Sequence, residues 1–95
     1  MNKYEAMFII RADLSEEEKK TLLGQIDDAV IKNNGSISSS SVWAERKKLS
    51  FPIKKYHEGT YYLLNFSVAP SAIVNIRDIY KLNENIIRLL ITVAS

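Results

Sequence analysis

A β-α-β-β-α-β order predicts an α+β fold of ferredoxin-like type: a four-stranded antiparallel sheet carrying two helices on one face. Two patterns produce that order. Apolar residues alternate along residues 3–10, 36–53, 60–68 and 86–93, and recur at helical spacing along 15–33 and 70–80. A third observation joins them: the central strands meet through a short polar segment, whereas each helix stands between two strands. Right-handed crossovers then return the chain to one sheet and set both helices on the same side. The 95 residues are expected to form one domain, 1–95, near the lower end of the usual size range.

The first strand, KYEAMFII, places Tyr4, Ala6, Phe8 and Ile10 on one face and Lys3, Glu5, Met7 and Ile9 on the other. Ser15 and Glu18 have the spacing of a capping box, which opens the first helix. Glu16, Glu17 and Glu18 lie where the helix dipole favours negative charge, so helix initiation accounts for them better than an acidic binding patch does. Leu22, Ile26, Ala29 and Val30 form the buried stripe, and Asn33-Asn34-Gly35 ends the helix.

From Ser36, the run SISSSSV leads into Trp43 as the weakly held half of a long edge strand. Trp43, Leu49, Phe51 and Ile53 share parity and are expected on the core side. Glu45 and Lys47 have the same parity yet are charged. Either the strand leaves the core between Ala44 and Lys48, or a bulge resets its register there. Residues 54–59, KKYHEG, read as the hairpin connection, with Gly59 supplying the permissive dihedrals. The next strand turns Tyr62, Leu64, Phe66 and Val68 inward and Tyr61, Leu63, Asn65 and Ser67 outward. Pro70-Ser71 opens the second helix, whose inward residues are Ile73, Ile76 and Tyr80, and Asn83-Glu84-Asn85 stops it. The last strand sets Ile87, Leu89, Ile91 and Val93 on one face.

Several function classes find no support. The chain has no cysteine, which removes disulfides and thiolate metal sites. No apolar run reaches the roughly 20 residues of a membrane span. The opening MNKYEAMFII lacks the pattern of a secretory leader, so a cytoplasmic location is expected. His57 stands in a polar segment without a paired nucleophile and reads as a solvated loop residue. Gly24, Gly35 and Gly59 are too scattered for a phosphate-cradling loop. The expectation is therefore no catalytic residue, no metal, no cofactor and no small-molecule substrate.

Charge distribution is more informative than the net value of +2. Acidic residues gather early, at Asp13, Glu16, Glu17, Glu18, Asp27 and Asp28. Basic ones gather in the middle, at Arg46, Lys47, Lys48, Lys54 and Lys55. Five cations near one hairpin suit phosphate contacts, which supply most sequence-independent affinity for nucleic acid. Trp43, Tyr56 and Tyr61 offer flat surfaces beside them for unpaired bases. A charged edge strand that merely resists aggregation would carry the same residues. The strand order is also that of the RNA-recognition motif, but outward Tyr61 and Leu63 lack that motif's paired aromatics. On the sheet face away from the helices, Met7, Ile9, Tyr61, Leu63 and Leu90 lie beside Lys3 and Arg88. They form a candidate partner surface, against the plainer reading of scattered exposed apolar residues.

Three stretches carry a resemblance to a known family. They are the opening KYEAMFII, the run RKKLSFPIKK with Gly59-Thr60-Tyr61-Tyr62 downstream, and the closing Asn85-Ile86-Ile87-Arg88 before an apolar strand. Together they resemble, over nearly the whole chain, the sixth protein of the bacterial small ribosomal subunit. The family's basic-Leu-small-aromatic-Pro-Ile run matches Lys47, Lys48, Leu49, Ser50, Phe51, Pro52 and Ile53. The resemblance implies a non-catalytic, ribosome-associated protein. It implies binding to the central domain of small-subunit ribosomal RNA, as a heterodimer with the eighteenth small-subunit protein. Arg46, Lys47, Lys48, Lys54 and Lys55 would hold phosphates, with Lys3 and Arg88 as flanking candidates. One departure stands out: the family usually places Trp-Gly just before its basic run, whereas here Trp43 is followed by Ala44-Glu45.

Two other classes compete. One is a ferredoxin-like regulatory or ligand-binding module that pairs sheets as a homodimer, although the glycine-rich turn such modules often use is missing. The other is a small acyl-phosphate hydrolase, for which Arg11 lies near the first strand's end without a glycine-rich cradle after it.

Overall fold

The computed structural model describes residues 1–94. Its elements are β1 (Asn2–Arg11), α1 (Glu16–Lys32), β2 (Ser36–Ile53), β3 (Tyr56–Val68), α2 (Ile73–Lys81) and β4 (Ile86–Val93), with one 3-10 turn at Pro70–Ala72 leading into α2. The strands form one antiparallel sheet in the order β2-β3-β1-β4. This is the expected ferredoxin-like arrangement, and β2 is the edge strand that the serine run suggested.

The main core follows from alternation on the strands and helical spacing on the helices. Tyr4, Ala6, Phe8 and Ile10 of β1 and Tyr62, Leu64, Phe66 and Val68 of β3 are buried against Leu22, Ile26, Ala29 and Val30 of α1. Ile73, Ile76 and Tyr80 of α2 join the same cluster, so both helices cover one face. Aromatic residues set its centre: the Phe8 and Tyr80 rings meet edge-on at 4.9 Å, and Tyr4 stacks on Phe66 at 5.7 Å. Such pairs add about 0.5–1.5 kcal/mol each beyond the area they bury.

Both ends of α1 are satisfied as the sequence predicts. The Ser15 hydroxyl accepts from the Glu18 N–H at 3.1 Å, and the Glu18 carboxylate accepts from the Ser15 N–H at 3.0 Å. At the other end Asn34 takes the left-handed conformation (φ 62°). Its N–H donates to the Ile31 carbonyl at 3.0 Å and the Gly35 N–H to the Val30 carbonyl at 2.9 Å, the reciprocal pairing of a Schellman end. Gly35 is needed for space, because a Cβ there would lie 2.7 Å from Val30 Cγ1 and 2.8 Å from the Ser67 carbonyl.

Three expectations are corrected. First, Trp43 and Phe51 are not core residues: they are 58% and 79% exposed, while Leu49 is buried and Ile53 half-buried. The β2–β3 register shifts repeatedly between Val42 and Ile53, and Arg46 sits at φ 48°. Trp43 meets Tyr61, and Leu49 packs with Ile9 and Ile87, so both lie on the sheet face away from the helices and neither belongs to the main core. Second, the hairpin turn is Lys54-Lys55 alone, since Ile53 pairs with Tyr56. Gly59 lies within β3, and no glycine has positive φ among the described residues. Its lack of a side chain serves close approach instead: a Cβ there would lie 2.4 Å from Ile9 Cγ2. Third, Ile87 does not share a face with Leu89 and Ile91. Ile10 pairs with Ile86 but Ile9 with Arg88, so Ile87 is an extra residue that turns to the opposite face. There it packs with Ile9 and Leu49 in a second, small cluster. Val93, at the strand's far end, is exposed.

Candidate nucleic-acid interface

The face of the sheet away from the helices is ordered in rows by strand register. At one end Lys3 is paired with Ser67, and next to them Asn65, Glu5 and Thr92 form a polar row. The middle row is apolar: Leu63, Met7 and Leu90 lie side by side across β3, β1 and β4. Leu90 is 61% exposed, and Met7 and Leu63 are half-buried. In the following row Tyr61, Ile9 and Arg88 are neighbours. Ile9 is only 8% exposed, held under Leu49 and Ile87. It supports the surface more than it lines it.

Beyond that row the hairpin of β2 and β3 carries the positive charge. Arg46, Lys47, Lys48, Lys54 and Lys55 are all exposed. The bulge determines where each points. The Arg46 N–H donates to Thr60 Oγ1 at 3.4 Å, and its guanidinium pairs with Glu58 at 3.4 Å. The Lys47 ammonium lies over two rings, 4.9 Å from the centroid of Trp43 and 5.3 Å from that of Tyr61. Those rings meet edge-to-face at 5.6 Å. Lys54 and Lys55 occupy the turn itself with φ of 49° and 72°.

The sequence-predicted cations are thus only partly brought together. Arg88 lies two strand spacings from Tyr61, about 10 Å, on the same row as the aromatic pair. Lys3 is at the other end of β1, about 20 Å away along the strand, and is not part of the hairpin cluster.

Two contributors were missed in the sequence. Lys19 of α1 forms an ion pair with Glu45, which draws that carboxylate toward the helix layer. The pairing holds the Glu45 carboxyl below its ordinary range and raises Lys19. Arg11 lies 5.6 Å over the Tyr56 ring and pairs with Asp13 at 2.9 Å, and this partner keeps the Asp13 carboxyl low. No local pattern marks either pair, because each joins residues whose proximity depends on the bulge or on the β1–α1 turn. Among the described residues no cluster of acidic and histidine side chains could hold a metal ion, and no helix is long and apolar enough to cross a membrane.

Comparisons with known proteins bear on the fold and the family. The family model described as ribosomal protein S6 matches residues 3–92. The small ribosomal subunit protein bS6 of Thermoanaerobacter pseudethanolicus is 37% identical over 91 residues, covering 96% of this chain and 95% of that protein. Its counterpart from Caldanaerobacter subterraneus is 34% identical over 91 residues, with the same shares covered. The crystal structure of 30S ribosomal protein S6 from Thermotoga maritima superposes with a TM-score of 0.91 at 26% identity, over 98% of this chain and 87% of that one. With the family model matched over residues 3–92 and the relatives and the solved structure similar over nearly the whole length, the chain belongs to the ribosomal protein S6 family of the small ribosomal subunit.

Proposed function

We propose that this chain acts as a structural component of the small subunit by binding the central domain of its ribosomal RNA through the β2–β3 hairpin. In the same reading the uncovered sheet face receives the eighteenth small-subunit protein as a heterodimer. One observation carries the RNA assignment. Lys47, Lys48, Lys54 and Lys55 are exposed on a single hairpin, and none has an acidic partner within ion-pair distance among the described residues. Unpaired ammonium groups at the edge of a sheet are free to replace the counterions of phosphates. Arg46, though paired with Glu58, and Arg88 flank that surface, and Lys3 is the outlying candidate. The apolar row Leu63–Met7–Leu90 adjoins it, so one protein partner could cover the row while RNA lies on the hairpin. The setting is the ribosome in the cytoplasm.

The test is titration of a central-domain ribosomal RNA fragment, with and without the eighteenth protein, at several salt concentrations. Weak binding alone, strong binding with the partner and a steep loss with salt are expected. Affinity unchanged when Lys47, Lys48, Lys54 and Lys55 are neutralised together would remove the hairpin assignment. A chain that dimerises with itself and ignores the RNA would replace the reading with that of a homodimeric module.

A further inference from the structure

We propose that Trp43 is a stacking site for one unpaired nucleobase, with Tyr61 fixing the indole and Lys47 placed to meet the adjoining phosphate. The proposal rests on the RNA-binding reading above and specifies what the hairpin recognises. Trp43 lies on the same uncovered face as Leu49, yet where Leu49 is buried the Trp43 ring is 58% exposed on the edge strand. The exposed ring is nonetheless held in place. Tyr61 meets it edge-to-face at 5.6 Å, and the Lys47 ammonium sits 4.9 Å from its centroid. A ring held from two sides loses little freedom when a ligand stacks on it, which is the condition for pre-organised binding.

The charge around the ring selects the occupant. Arg46, Lys47 and Lys48 follow it closely in the chain, while Glu45, two residues on in sequence, is engaged by Lys19 of α1. A flat ring inside a cationic patch complements a base and its phosphate, the pairing found in sites that bind single strands. An ammonium resting on π faces keeps its N–H donors available for phosphate oxygens. A paired duplex offers no free base face, so the nucleotide must be looped out or single-stranded.

Trp43 is the one tryptophan of the chain, so its fluorescence reports directly on the site. The full chain would be titrated with the central-domain RNA fragment and with a fully paired RNA duplex of equal length. Quenching by the fragment and not by the duplex is expected. Trp43→Leu should weaken fragment binding about 5- to 100-fold with little change in the salt slope, and Trp43→Phe should recover much of the loss. A thermal melt of each variant checks folding, which an exposed position is expected to leave intact. Fragment binding with unchanged emission, or undiminished affinity in Trp43→Leu, overturns the stacking site while leaving RNA binding by the hairpin in place. An emission change produced by the eighteenth protein alone, with none on adding RNA, overturns it too and assigns the ring to a protein interface. Failure of the parent chain to bind the RNA even with the eighteenth protein present overturns both readings.

Discussion

Lys19, near the start of α1, is ion-paired with Glu45 at the bulge of β2. The contact ties the root of the basic hairpin to the helix layer and engages the one acidic side chain beside the Arg46-Lys47-Lys48 run in the sequence. Glu16 lies 3.5 Å from the same ammonium, so Lys19 serves two carboxylates.

Replacing Glu45 by Gln should therefore tighten RNA binding a few-fold, since one repulsive charge near the phosphates is removed. The same substitution should speed hydrogen exchange at the amides of residues 44–47, which the tether steadies. The pH dependence has a defined sign. Glu45 has its folded pKa lowered by Lys19, so its contribution is present above the ordinary carboxylate range near about 4.3 and is lost as pH falls through the folded value. Amide shifts at residues 44–47 should move as pH falls below the ordinary carboxylate range of about 4.3 in the parent, and should move less in Glu45→Gln. Weaker RNA binding by that variant would mean the carboxylate positions the hairpin more than it repels phosphate.

Gly59→Ala should destabilise the fold by about 1–3 kcal/mol. The new Cβ would lie 2.4 Å from Ile9 Cγ2, a branch fixed to the β-carbon that cannot swing aside. Ile9 is itself packed under Leu49 and Ile87, so the strain would spread through the small cluster. Urea unfolding of the variant measures it. A cost near zero would show that β1 and β3 can separate locally at this row.

How legible the molecule was in its sequence can be argued from these same residues. Tyr4, Phe8, Leu22, Ile26, Ile76 and Tyr80 follow the periods of their elements without interruption, and each is buried as its period predicts. The errors cluster where a ladder gains a residue. At Ile87 one extra residue turns a side chain to the opposite face, and between Val42 and Ile53 the register shifts several times, so strict alternation no longer predicts burial there. Gly59 was legible as a constrained position, but the two reasons for glycine, positive φ and close approach, leave the same letter. The basic run was visible as charge, whereas the cation–π contacts of Lys47 and the Lys19–Glu45 pair exist only once the bulge has set the register.

Two of the buried tyrosines, Tyr62 and Tyr80, predict an alkaline limit to stability. The Tyr62 hydroxyl donates to Asp27 Oδ1 at 2.9 Å and the Tyr80 hydroxyl to the Ile26 carbonyl at 2.8 Å. Burial pushes Tyr62 up to about 12, with the Asp27 carboxylate adding to the effect, and pushes Tyr80 up as well. In the unfolded chain both ionise near about pH 10. Their neutral forms therefore contribute fully below pH 10, and the contribution is lost as pH rises toward the folded values. Urea melts at pH 8, 10 and 11 should show stability falling across the series. Tyr62→Phe should flatten that fall, while Tyr80→Phe should in addition cost about 1 kcal/mol at pH 8 from its lost hydrogen bond. An unchanged slope in Tyr62→Phe would mean its hydroxyl reaches water in the native state.

Lys54 and Lys55 make a two-residue turn with both residues at positive φ, the geometry for which Asn-Gly is the favoured pair. Each ordinary side chain held in that region costs about 1–2 kcal/mol. Two lysines there trade stability for charge at the tip of the hairpin, which is understandable if the tip meets phosphates. The double variant Lys54→Asn, Lys55→Gly should accordingly raise the urea midpoint, with a gain of about 1–2 kcal/mol. It should also weaken RNA binding and reduce the slope of log affinity against log salt by about 1.5, the share of two released counterions. Stability and affinity thus move in opposite directions from one pair of substitutions, which an aggregation-blocking role for these lysines would not produce. A more stable variant with an unchanged salt slope would show that the tip stands clear of the RNA, leaving Lys47 and Lys48 at the bulge to carry the contact.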